Sequence, residues 1–250
     1  MPDHPFLTVL IPAYNESAGL ADGVRAVAGR LALLNIPAEI LIVDDGSRDA
    51  TPQLADSLAA PAAPPQPAVR VVHHPVNRGI GAAFATGVAH AAGEWLILIP
   101  ADLAMDPADL AKYLAAAAQA DVVVGNRSDL SDYSAFRRLV HYANITLLRL
   151  LFGVPLHQFQ YISLYRLATL RQMDLEFTGS AFLLAEIILK AHALGARLVE
   201  LPIAYVPRRT GRATGAKWPL IFATLRDLFR FWWRWVTRGP AAASRRRANA

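Results

Sequence analysis

Three carboxylates stand where strands should end. Glu16 follows the apolar run Phe6–Ile11, Asp45 follows Ile40–Val43, and Asp102 follows Trp95–Ile99. In a parallel sheet such ends lie along one edge, so these acids can converge on a single cleft. One acid after one strand is ordinarily a cap or turn former; it is the repetition that points to a site. Carboxylates without cysteine or a histidine cluster suit a hard divalent ion, Mg²⁺ or Mn²⁺, bridging a diphosphate. The chain has no cysteine, which excludes disulfides, thiolate nucleophiles and Cys-ligated zinc.

The elements that hold these acids alternate. The spacing predicts strands over 6–11, 40–43, 69–72, 95–99 and 122–124, with helices over 20–34, 51–58, 80–92 and 107–119 between them. Leu20, Val24, Val27, Leu31 and Leu34 give the first helix one apolar face. Asn77-Arg78-Gly79-Ile80-Gly81 supplies glycines that let backbone approach a ligand closely. Continuously apolar strands imply cover on both faces, hence an α/β fold with a mostly parallel sheet and helices on each side. The proline-rich segment 59–68 reads as a surface connection. His73-His74 ends a strand and reads as structural.

The second half changes character. A long helix over 136–152 carries Arg137, Arg138 and Arg149; further elements are a helix over 182–194, an edge strand over 198–205 containing Pro202, and a helix over 219–236. The net charge of +5 is unevenly spread. Residues 205–250 hold eleven Arg/Lys against Asp227, so residues 1–204 are net negative. Such asymmetry points to an anionic partner at the C-terminal end. Arg226, Arg230 and Arg234 recur every fourth residue among Leu, Phe and Trp, the pattern of a helix lying in a membrane interface rather than crossing it. The expected division is a domain over 1–217, an amphipathic interface helix over 218–238, and a disordered basic tail over 239–250. No signal peptide or spanning helix is read, and no nucleic-acid module accompanies the basic tail.

IPAYNE (11–16), VDDGSRDAT (43–51), NRGIGAAFATG (77–87), Asp102, GNR (125–127) and ELPIAYVPRRTGRATG (200–215) together resemble family 2 glycosyltransferases, particularly the dolichyl/polyprenyl-phosphate sugar synthase group. The resemblance implies a GT-A, Rossmann-like fold and an inverting transfer from a GDP- or UDP-linked sugar to a polyprenyl or dolichyl phosphate. It implies Mg²⁺ or Mn²⁺ held by Asp102, and a peripheral place on the cytoplasmic face of a membrane. By the same resemblance Pro12, Tyr14, Glu16, Val43, Asp45 and Ala101 meet the nucleotide sugar. Arg127, Arg137, Arg138, Arg208, Arg209, Arg212 and Lys217 meet phosphates of donor or acceptor, with Asp102 and Arg127 catalytic.

The chain departs from the family pattern at three places. Its metal motif reads Pro100-Ala101-Asp102 in place of Asp-x-Asp, Thr214 stands where a lysine follows the basic-loop arginine, and Gln158 stands where relatives often carry an acid. A sugar hydroxyl acceptor wants a positioned base, whereas a lipid phosphate is already anionic and wants cations. Phosphate as nucleophile therefore fits better. Transfer to a hydroxyl would need Asp129, Asp132 or Glu176 as base. A catalytically weakened lipid- or partner-binding relative is the remaining alternative.

Overall fold

The computed structural model describes residues 4–103, 105–127, 129–130, 133–204 and 218–244, with 218–220 as backbone only. The chain runs β1 (Leu7–Ala13), α1 (Leu20–Leu34), β2 (Ala38–Asp44), α2 (Thr51–Leu58), β3 (Ala68–His73), α3 (Ile80–His90) and β4 (Trp95–Leu98). It continues through a short 3₁₀ turn at Pro107–Asp109, α4 (Leu110–Ala117), β5 (Val122–Arg127), α5 (Ala135–Phe152), β6 (Ser163–Arg166) and α6 (Leu167–Leu170). The last elements are α7 (Phe182–Ala193), β7 (Leu198–Ile203), α8 (Trp218–Arg238) and α9 (Pro240–Ser244).

The seven strands form one sheet in the order β3-β2-β1-β4-β6-β5-β7. β3, β2, β1 and β4 are parallel neighbours, and β5 pairs parallel with β7. β6 alone runs antiparallel, wedged between β4 and β5. The two cores follow from strand alternation. Leu10, Leu41, Val43 and Leu96 face α3, α5, α7 and α8, while Leu7, Val9, Ile11, Ile40 and Ile42 face α1 and α4. Helices therefore cover both faces, as the apolar strands require.

Some expectations are corrected. The helix expected over 107–119 divides into the 3₁₀ turn and α4, because the Asp106 side chain accepts from Ala108 N–H and caps the turn first. β6 and α6 lie outside the predicted elements, because each is only four residues long and carries no strong periodic signal. The expected disordered tail begins instead with α9, whose Ser244 is fully buried. β7 is indeed an edge strand, which accommodates Pro202.

α8 belongs to the core on one side. Leu228, Phe231 and Trp235 are buried, and the Phe231 ring lies 5.5–6.1 Å from those of Phe152, Phe177, Phe182 and Trp235. No helix among the described residues is long and apolar enough to cross a membrane.

Candidate active site

The strand order reverses at β1, which has β2 on one side and β4 on the other. Ligands of open α/β sheets bind outside the carboxyl ends of strands at such a switch point. β1, β2 and β4 are adjacent and parallel, so the segments carrying Glu16, Asp45 and Asp102 leave the same edge.

The first two loops are laced together. Asn15, Glu16 and Ser17 donate backbone N–H bonds to Ser47 Oγ, Thr51 Oγ1 and Asp49 Oδ2 at 2.9, 2.9 and 3.3 Å, and Arg48 N–H returns one to Asn15 Oδ1 at 2.9 Å. Hydrogen bonds from Thr51 and Ser17 hold the Asp49 carboxyl well below the usual carboxylate range. Gly46 adopts φ +71, and a Cβ there would lie 2.4 Å from the Val76 carbonyl carbon, so the turn tolerates only glycine. Pro12 is half-buried, and Tyr14 is 42% exposed on this rim. Val43 is fully buried in the core, so its side chain packs there rather than facing the nucleotide expected of it.

Asp45 joins the second loop to the glycine loop. Its Oδ1 meets His74 Nδ1 at 2.7 Å and accepts from Arg78 N–H at 2.9 Å, and its Oδ2 accepts from Gly79 N–H at 2.7 Å. His74 Nε2 in turn meets Thr86 Oγ1 at 2.8 Å, fixing α3. The structural reading of the histidine pair holds: His73 bridges Asp44 and Asp56.

Asp102 sits in a tight turn in which Leu103 N–H bonds to Pro100 carbonyl at 3.0 Å and Leu103 takes φ 51. Ala101 is buried, with its carbonyl where a Cβ on Gly23 of α1 would fall, 2.6 Å away. Asp102 is thereby presented half-buried on the β1/β4 side of the edge. Among the described residues no three His, Cys, Asp or Glu side chains are grouped to hold a metal. The donor set thus does not fit an all-protein cage. It fits an ion held by the Asp102 carboxylate together with substrate diphosphate oxygens and water.

Arginines gather on the neighbouring side. Arg127 ends β5, is buried, and donates Nε to Asp129 carbonyl at 2.7 Å. Its guanidinium lies 5.0 Å from the centroid of the Tyr133 ring, and that of Arg137 lies 3.8 Å from the same ring. His141 meets Tyr133 edge-on at 5.8 Å. Burial, reinforced by Arg127 and Arg137, pushes the His141 pKa down, so the ring is neutral near pH 7. Arg138 is exposed and stands apart from this cluster. Arg208, Arg209, Arg212 and Lys217 lie outside the described residues, as does Asp132.

Arg137 and His141 also line a cavity of about 540 Å³ between α3, α5, α7 and α8. Leu98, the last residue of β4, and Ile80, the first of α3, belong to its wall, which places one end beside the site edge. The remaining wall is dominated by aliphatic side chains such as Val140, Leu147, Leu184 and Leu225. The sequence reading named Arg137 but missed His141 and Asn144; the four- and three-residue spacing of 137, 141 and 144 on a helix was the available signal.

The profile of Glycosyl transferase family 2 matches residues 8–174. This chain belongs to that family. It is a glycosyltransferase. It is 30% identical over 215 residues to the undecaprenyl-phosphate mannosyltransferase of Micrococcus luteus, covering 82% of this chain and 85% of that one. It is 32% identical over 219 residues to the polyprenol monophosphomannose synthase of Mycolicibacterium smegmatis, covering 81% and 78%. Among solved structures, glucosyl-3-phosphoglycerate synthase from Mycobacterium tuberculosis, in complex with Mn²⁺, UDP and glucosyl-3-phosphoglycerate, superposes with a TM-score of 0.69 at 17% identity, covering 90% of this chain and 79% of that one. This likeness establishes the GT-A fold for the glycosyltransferase, with its mixed, mostly parallel sheet.

Of the acids weighed as a hydroxyl-activating base, Glu176 and Asp129 lie among the described residues. Although burial opposes its ionisation, hydrogen bonds from Arg234 and Lys190 hold the Glu176 pKa below its ordinary value, and its carboxylate is occupied by those ion pairs. Asp129 is exposed. Gln158 turns inward and caps the backbone, its Oε1 accepting from Phe159 and Gln160 N–H at 3.0 and 3.2 Å.

Proposed function

We propose that this glycosyltransferase moves a sugar from a GDP- or UDP-linked donor to a polyprenyl or dolichyl phosphate, with inversion, at a membrane surface. The observation that carries the acceptor assignment is the Arg127–Tyr133–Arg137 cluster beside an aliphatic cavity that begins at the site edge. A small polar phosphate needs the cations and not the cavity; a lipid phosphate needs both.

In the reaction, an acceptor phosphate oxygen forms a bond to the anomeric carbon as the bond from that carbon to the nucleoside diphosphate breaks. The nucleophile is already anionic, so no residue need remove a proton. Arg127 and Arg137 hold it. The loops of Pro12–Glu16 and Asp45–Gly79 cradle the nucleoside, while Arg208, Arg209, Arg212 and Lys217 remain proposed phosphate partners. A divalent ion held by Asp102 would neutralise the departing diphosphate.

Incubation with labelled UDP- or GDP-sugars, Mn²⁺ or Mg²⁺ and short-chain polyprenyl phosphate tests the reading. Lipid-linked product is expected. Product formed only on a saccharide or a small phosphorylated acid would overturn it. Asp102→Asn should abolish turnover and also the metal-dependent rise in melting temperature caused by nucleotide sugar; wild-type behaviour in both would remove Asp102 from the site.

A further inference from the structure

A second hollow lies away from the acceptor cavity. It is a groove of about 840 Å³ along the outer side of α8, lined among others by Glu176, Arg226, Phe229, Arg230, Trp233 and Arg234. Its acids are already matched: Asp227 pairs with Arg226 at 2.9 Å, and Glu176 pairs with Arg234 and Lys190. Arg230 has no ion-pair partner among the described residues, so the groove keeps an uncompensated cation.

Several apolar side chains on this side of α8 are exposed. Trp233 is 65% exposed, Phe222 64% and Val236 61%, although Leu228, Phe231 and Trp235 on the opposite face of the same helix are buried. Two faces of one helix thus bear apolar residues, one buried and the other largely exposed. A row of exposed aromatics flanking arginines is stabilised where hydrocarbon and phosphate meet. Nucleic acid or an acidic protein would satisfy the arginines without giving Trp233 and Val236 a hydrocarbon phase to enter.

We propose that this groove is a site for the phosphate of an anionic phospholipid, with Arg230 and Arg226 on the headgroup and Trp233 and Phe229 in the headgroup–acyl boundary. Its position gives it a consequence for the acceptor. Glu176, held by Arg234, opens the strap 176–181, and Ser180 and Ala181 at the far end of that strap line the acceptor cavity. A lipid bound in the groove thereby seats the cavity against the bilayer. The site goes beyond the acceptor reading, and vesicle binding needs no glycosyl transfer.

Co-sedimentation of the full chain with vesicles of phosphatidylcholine, alone or mixed with phosphatidylglycerol, tests the site. Tighter binding to the mixed vesicles is expected. Arg230→Gln should reduce that partition about fivefold, and Trp233→Ala should weaken binding to both vesicle types. Arg25→Gln, on the exposed part of α1 across the sheet, makes the same charge change and should leave the partition unaltered. Melting curves of all variants should match wild type, because these side chains lie outside the buried face. Equal binding to neutral and anionic vesicles overturns the proposal. So does an equal loss from Arg25→Gln, which would mean bulk charge, and so does release by millimolar glycerol phosphate, which would mean a soluble-phosphate site. Loss of lipid-linked product with vesicle binding intact would sink only the acceptor reading.

Discussion

Replacing Arg137 by glutamine removes a charge from the wall of the acceptor cavity and leaves a shorter, neutral hydrogen-bond donor. In the wild type its guanidinium stacks 3.8 Å from the Tyr133 ring centroid, a contact worth about 0.5–2 kcal/mol depending on exposure. Arg137 is half-buried, so about 1 kcal/mol of stability should be lost, lowering Tm by about 2–4 °C in a domain of this size. The larger effect falls on the acceptor. A charge-assisted hydrogen bond to phosphate is worth about 1.5–3 kcal/mol, and the neighbouring Arg127 retains part of the field. The acceptor kcat/KM should therefore fall about 10- to 100-fold. Initial rates against polyprenyl phosphate at saturating nucleotide sugar measure this, with the donor KM expected within about twofold of wild type. Arg138→Gln is the discriminating partner, since Arg138 is exposed and stands outside the cluster. An unchanged acceptor dependence in Arg137→Gln, or an equal fall in Arg138→Gln, would refute the acceptor placement.

Three further outcomes are expected. Gly81→Ala would put a Cβ 2.1 Å from the Thr178 carbonyl oxygen and 2.6 Å from its Cα; the strap must shift, costing about 1–3 kcal/mol, and a wild-type melting curve would show that the strap does not pack there. Phe231→Ala should cost about 3–5 kcal/mol, so an unaltered thermal transition would mean that α8 is not docked on the core. The hydrogen bond to Asp44, against burial, raises the His73 pKa. Its stabilisation is therefore complete below the unfolded value of about 6.5 and is lost as pH rises through the higher folded value. Wild-type Tm should fall relative to His73→Gln between about pH 6 and 8, and parallel profiles would exclude the assignment.

Much of the fold was legible because burial writes itself into composition. Strands covered on both faces are apolar at every position, so β1, β2 and β4 stood out, and each break in apolarity placed an acid at a strand end. The helical face of α1 was readable from spacing, and the expected bounds of α1 and α2 agree with those observed. β6 was not, because four residues carry too short a pattern and its antiparallel direction is set by neighbours distant in the chain.

The residues alone determined that carboxylates and arginines would share one edge of a doubly covered sheet, since chain order and strand apolarity suffice for that. Only the tertiary structure decided what each of these side chains packs against or pairs with. Asp45 is engaged by His74, 29 residues away, and by the glycine loop; Val43 is core; Glu176 is ion-paired to α8. Periodicity says that a face is covered but not by what, so the two apolar faces of α8 looked alike until one was seen against Phe152 and Phe182 and the other against solvent. Partner choice is non-local, and no local pattern encodes it.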